Sequence, residues 1–107
     1  MAAENIGSEA LSERIQGGKP VLVDFWAPWC SYCRRISAAY DKIAEEIGKD
    51  VEVVKINIDE EPALAESEHI EVIPTLVLYR DGKAAGSIVA PESKAAIDGF
   101  LRLTLER

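Results

Sequence analysis

The sequence predicts an α/β fold, a central mixed β-sheet with helices on both faces and an antiparallel hairpin at its C-terminal end. Three observations carry this reading. Hydrophobic periodicity switches between helix-like and strand-like segments in the order α, β, α, β, α, β, β, α. Two apolar runs flank an amphipathic stretch of about 18 residues, which makes a βαβ unit with a right-handed crossover. The dipeptide Asp81-Gly82 then separates the last two extended runs and favours a two-residue hairpin turn.

The elements follow in chain order. Ser8 is positioned to cap a short helix in which Leu11 and Ile15 share a face, ending at Gly17-Gly18. Val21 to Trp26 is an almost continuous apolar run, as expected of a strand buried on both faces, interrupted only by Asp24. After Ala27-Pro28-Trp29, the spacing of Ile36, Tyr40, Ile43 and Ile47 predicts a helix up to Gly48. Val51 to Ile58 reads as the next strand, with Val54, Ile56 and Ile58 on one face and Lys55 on the other. A short helix is expected over Pro62 to Glu68, and Ile73-Pro74-Thr75 leads into a strand reaching Arg80. Lys83 to Val89 pairs back, and a final helix from Ser93 turns Ile97, Phe100, Leu101, Thr104 and Leu105 toward the sheet. Whether Asn5-Ile6 adds an edge strand is left open, because so few residues carry no periodicity.

Composition bounds the function. The chain has 107 residues, 12 Lys+Arg against 19 Asp+Glu, a net charge of -7 and 48% hydrophobic residues. One domain over residues 1–107 is expected, with a core that needs no disulfide framework. No apolar run approaches the roughly 20 residues that cross a bilayer. The acidic balance has the wrong sign for nucleic acid or anionic lipid. The first 16 residues lack a basic region followed by an apolar run, so no signal peptide is expected. A cytoplasmic, reducing location is the expectation, although a processed mature chain would look the same.

Cys30 and Cys33 fall at the junction between strand and helix inside the βαβ unit. Unpaired amides and the positive end of the helix dipole favour a thiolate at Cys30. Cys33, one turn further in, is expected to be more buried. Cys30 would attack a substrate disulfide, and Cys33 would resolve the mixed disulfide. Two other readings stand beside this one: zinc binding, for which the chain offers only these two thiols and the distant His69, and two inert core cysteines. Asp24 can lie beneath the pair and exchange a proton with Cys33, directly or through water, unless its strand is an exposed edge. Lys55 can approach Asp24, or else snorkel to the surface. A cis bond before Pro74 would leave the backbone of Ile73 free to pair with an extended substrate.

With these residues in view, the chain resembles the thioredoxin family from about Lys19 to Leu105. The likeness covers KPVLVDFWAPWC, the Cys-x-x-Cys, VVKINIDEEP, IPTLVLYRDGK and the closing helix. It implies the thioredoxin fold, no bound cofactor or metal, and a monomer that reduces protein disulfides. Its partners would be disulfide-containing targets and a thioredoxin reductase dependent on NADPH or ferredoxin. By the same resemblance Cys30 is the nucleophile, Cys33 the resolving thiol, Asp24 the buried acid, Lys55 its neighbour and Pro74 the cis-proline facing the disulfide. Trp26 and Trp29 match the tryptophans near the site, and Trp29, Ile73, Pro74 and Ala90 match the partner-docking surface.

Three positions depart from the family pattern. Ser31-Tyr32 replaces the usual Gly-Pro, Ala38 the usual helix-kinking proline, and Ala90 a usual glycine. Tyr32, unlike proline, brings an amide to the first helical turn, so the expectation is an added donor to Cys30 and a more oxidising protein. A disulfide oxidase or isomerase, and a binding module without catalysis, are the alternative functions.

Overall fold

The computed structural model describes residues 3–106. Its strands are β1 (Glu4–Asn5), β2 (Val21–Trp26), β3 (Glu52–Asn57), β4 (Thr75–Arg80) and β5 (Lys83–Val89). Its helices are α1 (Ser8–Ile15), α2 (Ser31–Ile47), α3 (Pro62–Ser67) and α4 (Lys94–Leu105). The sheet order is β1-β3-β2-β4-β5. β1 and β2 run parallel to β3, while β4 is antiparallel to both β2 and β5.

β2 is therefore central, which explains its almost continuous apolar character: both faces are covered. Leu22 packs with Ile36, Tyr40, Ile43, Leu76, Leu78, Ile97 and Leu101 on the side of α2 and α4. Val21, Val23 and Phe25 pack with Leu11, Val54, Ile56 and Val77 on the side of α1 and α3. By the two-residue alternation of a strand, Asp24 shares the α2 side with Leu22. Asp81 (φ 54°) and Gly82 (φ 83°) both adopt left-handed backbone, as a type I′ hairpin turn requires. Ser93 caps α4 by accepting the Ala96 N–H at 3.1 Å.

Some expectations are corrected at element ends. The residue capping α1 is Gly7, and Ser8 is already helical; its N–H is met from outside by Glu61 Oε2 at 3.1 Å. The segment left open does form an edge strand, at Glu4–Asn5, with the Ile6 N–H donating to Lys55 O at 2.9 Å. β3 and α3 are slightly shorter than their sequence patterns. Without a proline at position 38, α2 runs uninterrupted from Ser31 to Ile47. Among the described residues no helix is long and apolar enough to cross a membrane.

Candidate active site

β2 ends at Trp26, the chain turns through Ala27 to Trp29, and α2 begins at Ser31 with Cys30 as its N-cap. This turn places both cysteines at the C-terminal end of the central strand. Cys30 and Cys33 are joined as a disulfide, with Cα atoms 5.3 Å apart. Both are buried, Cys30 8% and Cys33 4% exposed, so the contrast between them is narrower than the sequence suggested. The Cys33 N–H donates to Cys30 Sγ at 3.1 Å, the bond an N-cap side chain makes to the third helical residue.

This bond corrects one expectation. The amide that reaches the Cys30 sulfur belongs to Cys33, which is present whatever residue stands at position 32. What Tyr32 contributes is its side chain. The hydroxyl donates to Pro91 O at 2.9 Å, and Ala90 O lies 3.4 Å away. The ring also lies 5.2 Å beneath the Arg35 guanidinium. Tyr32 thereby ties the first turn of α2 to the segment after β5.

The Ile73–Pro74 peptide bond is cis, and Ile73 O lies 3.9 Å from Cys30 Sγ. Ile73 is half-buried and packs with Ala27 and the two cysteines. The Ala90 N–H donates to Pro74 O at 2.8 Å, which fastens the two segments to one another. Ala90 itself has φ 45°, left-handed backbone in which a Cβ costs energy and glycine does not. Trp29 stands 66% exposed, its indole N–H held by Asp59 Oδ2 at 3.0 Å. Val72 and Val89, exposed beside Ile73 and Ala90, extend the apolar rim. Sequence reasoning missed these two, since nothing local distinguishes a rim valine from a core one.

Asp24 is 1% exposed, which removes the edge-strand alternative. Its Oδ1 has no protein hydrogen-bond partner among the described residues. Burial pushes the carboxyl up to about 7, partly opposed by the charge of Lys55 and aided by that of Asp41. Lys55 is paired with Asp24 in the β2–β3 register. Its Nζ stands over the Trp26 ring, 4.5 Å from the centroid. The lysine is thus half-buried and stacked on an aromatic face, and it still acts on Asp24. Trp26 is anchored in turn by Asn5 Oδ1 at 2.9 Å, so the short edge strand supports the site. A cavity of about 190 Å³ joins Asp24, Cys33, Lys55, Trp26, Arg34 and Ser37. Ser37 is the other residue the sequence reading passed over. The signal was its place one turn after Cys33, on the same helix face.

These features can be set beside known proteins. A family model described as Thioredoxin matches residues 3–102. The chain belongs to the thioredoxin family. It is 41% identical over 89 residues to thioredoxin 1 of Synechococcus elongatus, covering 83% of each chain. It is 42% identical over 89 residues to a thioredoxin of Porphyra purpurea, again covering 83% of each. With thioredoxin 1 of Nostoc the identity is 38% over 100 residues, 94% of each chain. The fold superposes on the oxidised form of mitochondrial thioredoxin 3 from Saccharomyces cerevisiae with a TM-score of 0.83 and 25% identity, covering 94% of this chain and 93% of that one. The expected thioredoxin fold is therefore the observed one, and the Cys30–Cys33 pair gives this chain dithiol–disulfide chemistry, the activity of a protein-disulfide reductase.

Proposed function

We propose that the chain is a single-domain, monomeric, cytoplasmic protein-disulfide reductase working through the Cys30-Ser31-Tyr32-Cys33 segment, with its electrons supplied by a thioredoxin reductase. The bond from the Cys33 N–H to Cys30 Sγ is the observation that carries this reading. In the reduced protein the same amide favours a thiolate at Cys30, because a hydrogen bond to the charged form stabilises it.

The cycle has two exchanges. The Cys30 thiolate attacks a substrate disulfide, forming one S–S bond and releasing one substrate thiolate. Cys33 then gives its proton to the Asp24 carboxylate and attacks Cys30. The Cys30–Cys33 bond forms, the bond to substrate breaks, and the second substrate thiolate leaves and is protonated by water. The substrate gains two electrons and the protein dithiol loses two. Asp24 suits the task because a base near 7 is divided between both forms at neutral pH. Lys55 favours its ionised form. Trp29, Ile73, Pro74 and Ala90 form the docking surface, with Ile73 O and the neighbouring backbone available to an extended substrate.

Insulin reduction in the presence of dithiothreitol tests the activity. Faster precipitation of the freed chains is expected. No acceleration by protein whose two thiols are verified as reduced would leave only a binding role.

A further inference from the structure

Two polar groups in the Asp24 cavity lack protein partners among the described residues. One is Asp24 Oδ1, fully buried. The other is the hydroxyl of Ser37, half-buried on α2 and lining the same space as Cys33 and Lys55. A helical serine ordinarily satisfies its hydroxyl on the carbonyl one turn back or in solvent. In this helix Cys33, Ser37 and Asp41 are spaced i, i+4, i+8 and so share a face. Asp41 is occupied, accepting the Ala3 N–H at 3.0 Å. Ser37 lines the same space as the resolving thiol and the carboxyl, with a hydroxyl able to donate and accept at once. A space of this size, lined by the carboxyl, the hydroxyl and the Lys55 ammonium, accommodates bridging water, which needs two to four polar partners.

We infer that Ser37 is a positioning residue for the resolving step, its hydroxyl holding a water that joins the Cys33 thiol to Asp24 Oδ1. This inference rests on the proposed transfer of the Cys33 proton to Asp24. The water accepts that proton and passes one of its own to Oδ1, so the balance of the second exchange is unchanged. The other groups around Asp24 keep their places. Lys55 faces it from β3, and Cys33, Arg34, Tyr40 and Asp41 face it from α2. The Tyr40 hydroxyl is committed to Leu22 O and Val54 O, whereas that of Ser37 can adapt to either charge state of Asp24.

The test uses the reduced full chain and an aromatic disulfide, 5,5′-dithiobis(2-nitrobenzoate). Attack by Cys30 releases the first nitrothiolate and resolution by Cys33 the second, so stopped-flow absorbance separates the steps. Ser37→Ala should lower the ratio of second-phase to first-phase rates by about three- to tenfold at pH 7, the worth of one hydrogen bond. The Asp24 carboxyl, followed by carbon NMR, should titrate at higher pH in Ser37→Ala, because a donor to the ionised form is lost. Ser37→Thr should restore both. Alanine is a strong helix former, so the variant folds. Asp24→Asn provides the reference. If it lowers the phase ratio while Ser37→Ala leaves ratio and titration as in wild type, the Ser37 inference is overturned alone. If Asp24→Asn leaves the ratio unchanged, the relay and the inference fall together.

Discussion

Replacing Asp24 by asparagine should make this protein more stable at neutral pH. In the folded chain the carboxyl is pushed up to about 7 from an ordinary 3.8, mainly because burial penalises its charge. Below the lower value both folded and unfolded chains hold the proton, and the group costs nothing by linkage. As pH rises from about 4 to about 7 the unfolded chain ionises first, so stability declines over that window and levels off above it. At about 1.36 kcal/mol per pH unit, the full decline is about 4 kcal/mol. Asparagine has no such slope. The contribution of its amide to packing is common to all pH values, so it cancels in a difference between two pH values. Urea unfolding of the oxidised wild type and Asp24→Asn at pH 3.5 and pH 8 measures it. The stability gap should move in favour of Asp24→Asn by about 4 kcal/mol between the two. A gap that is constant, or that moves the other way, would show that Asp24 is solvated in the folded protein or fully compensated by Lys55.

Other outcomes follow from the site. Lys55→Met should raise the Asp24 titration further, since the lysine charge opposes the effect of burial; a midpoint that stays or falls on carbon NMR titration would remove Lys55 from the site. Tyr32→Phe loses the hydroxyl bond to Pro91 and should cost about 1 kcal/mol in urea melts. Tyr32→Pro, which removes the amide of residue 32, should leave the reduction potential against glutathione as in wild type, because the amide at Cys30 Sγ belongs to Cys33; a clear fall in the potential would restore a redox role to the residue-32 amide. Ala90→Gly should relieve about 1 to 2 kcal/mol of left-handed strain against about 0.5 to 1 kcal/mol of chain entropy, a small net gain. A clear loss of stability would mean that the methyl packs favourably.

The arrangement of β2, α2 and β3 was legible because a near-continuous apolar run, a helical period and an alternating run follow one another with breakers between them. Asp24 stood out for the opposite reason, as a charge in a run that otherwise reads as core. Cys30 and Cys33 were legible from their position at the junction, where the physics of a helix N-terminus acts. β1 was not, since a two-residue strand is defined by its partners Val54 and Lys55 and not by its own pattern. The Tyr32 contact was equally hidden: no local rule states that the loop at Pro91, 59 residues later, packs against the first turn of α2. Ser37 gained meaning only when the strand face bearing Asp24 was set opposite the helix face bearing Cys33. Sequence periodicity reports which face of an element is buried, whereas the pairing of faces is a tertiary fact.

The assignment of Cys30 as nucleophile and Cys33 as resolving thiol is tested most directly by mass spectrometry of serine variants incubated with oxidised insulin. Cys33→Ser should accumulate a mixed disulfide between Cys30 and an insulin chain, released by dithiothreitol, while Cys30→Ser should accumulate none and reduce nothing. Accumulation by Cys30→Ser in place of Cys33→Ser would contradict the assignment and invert the two roles.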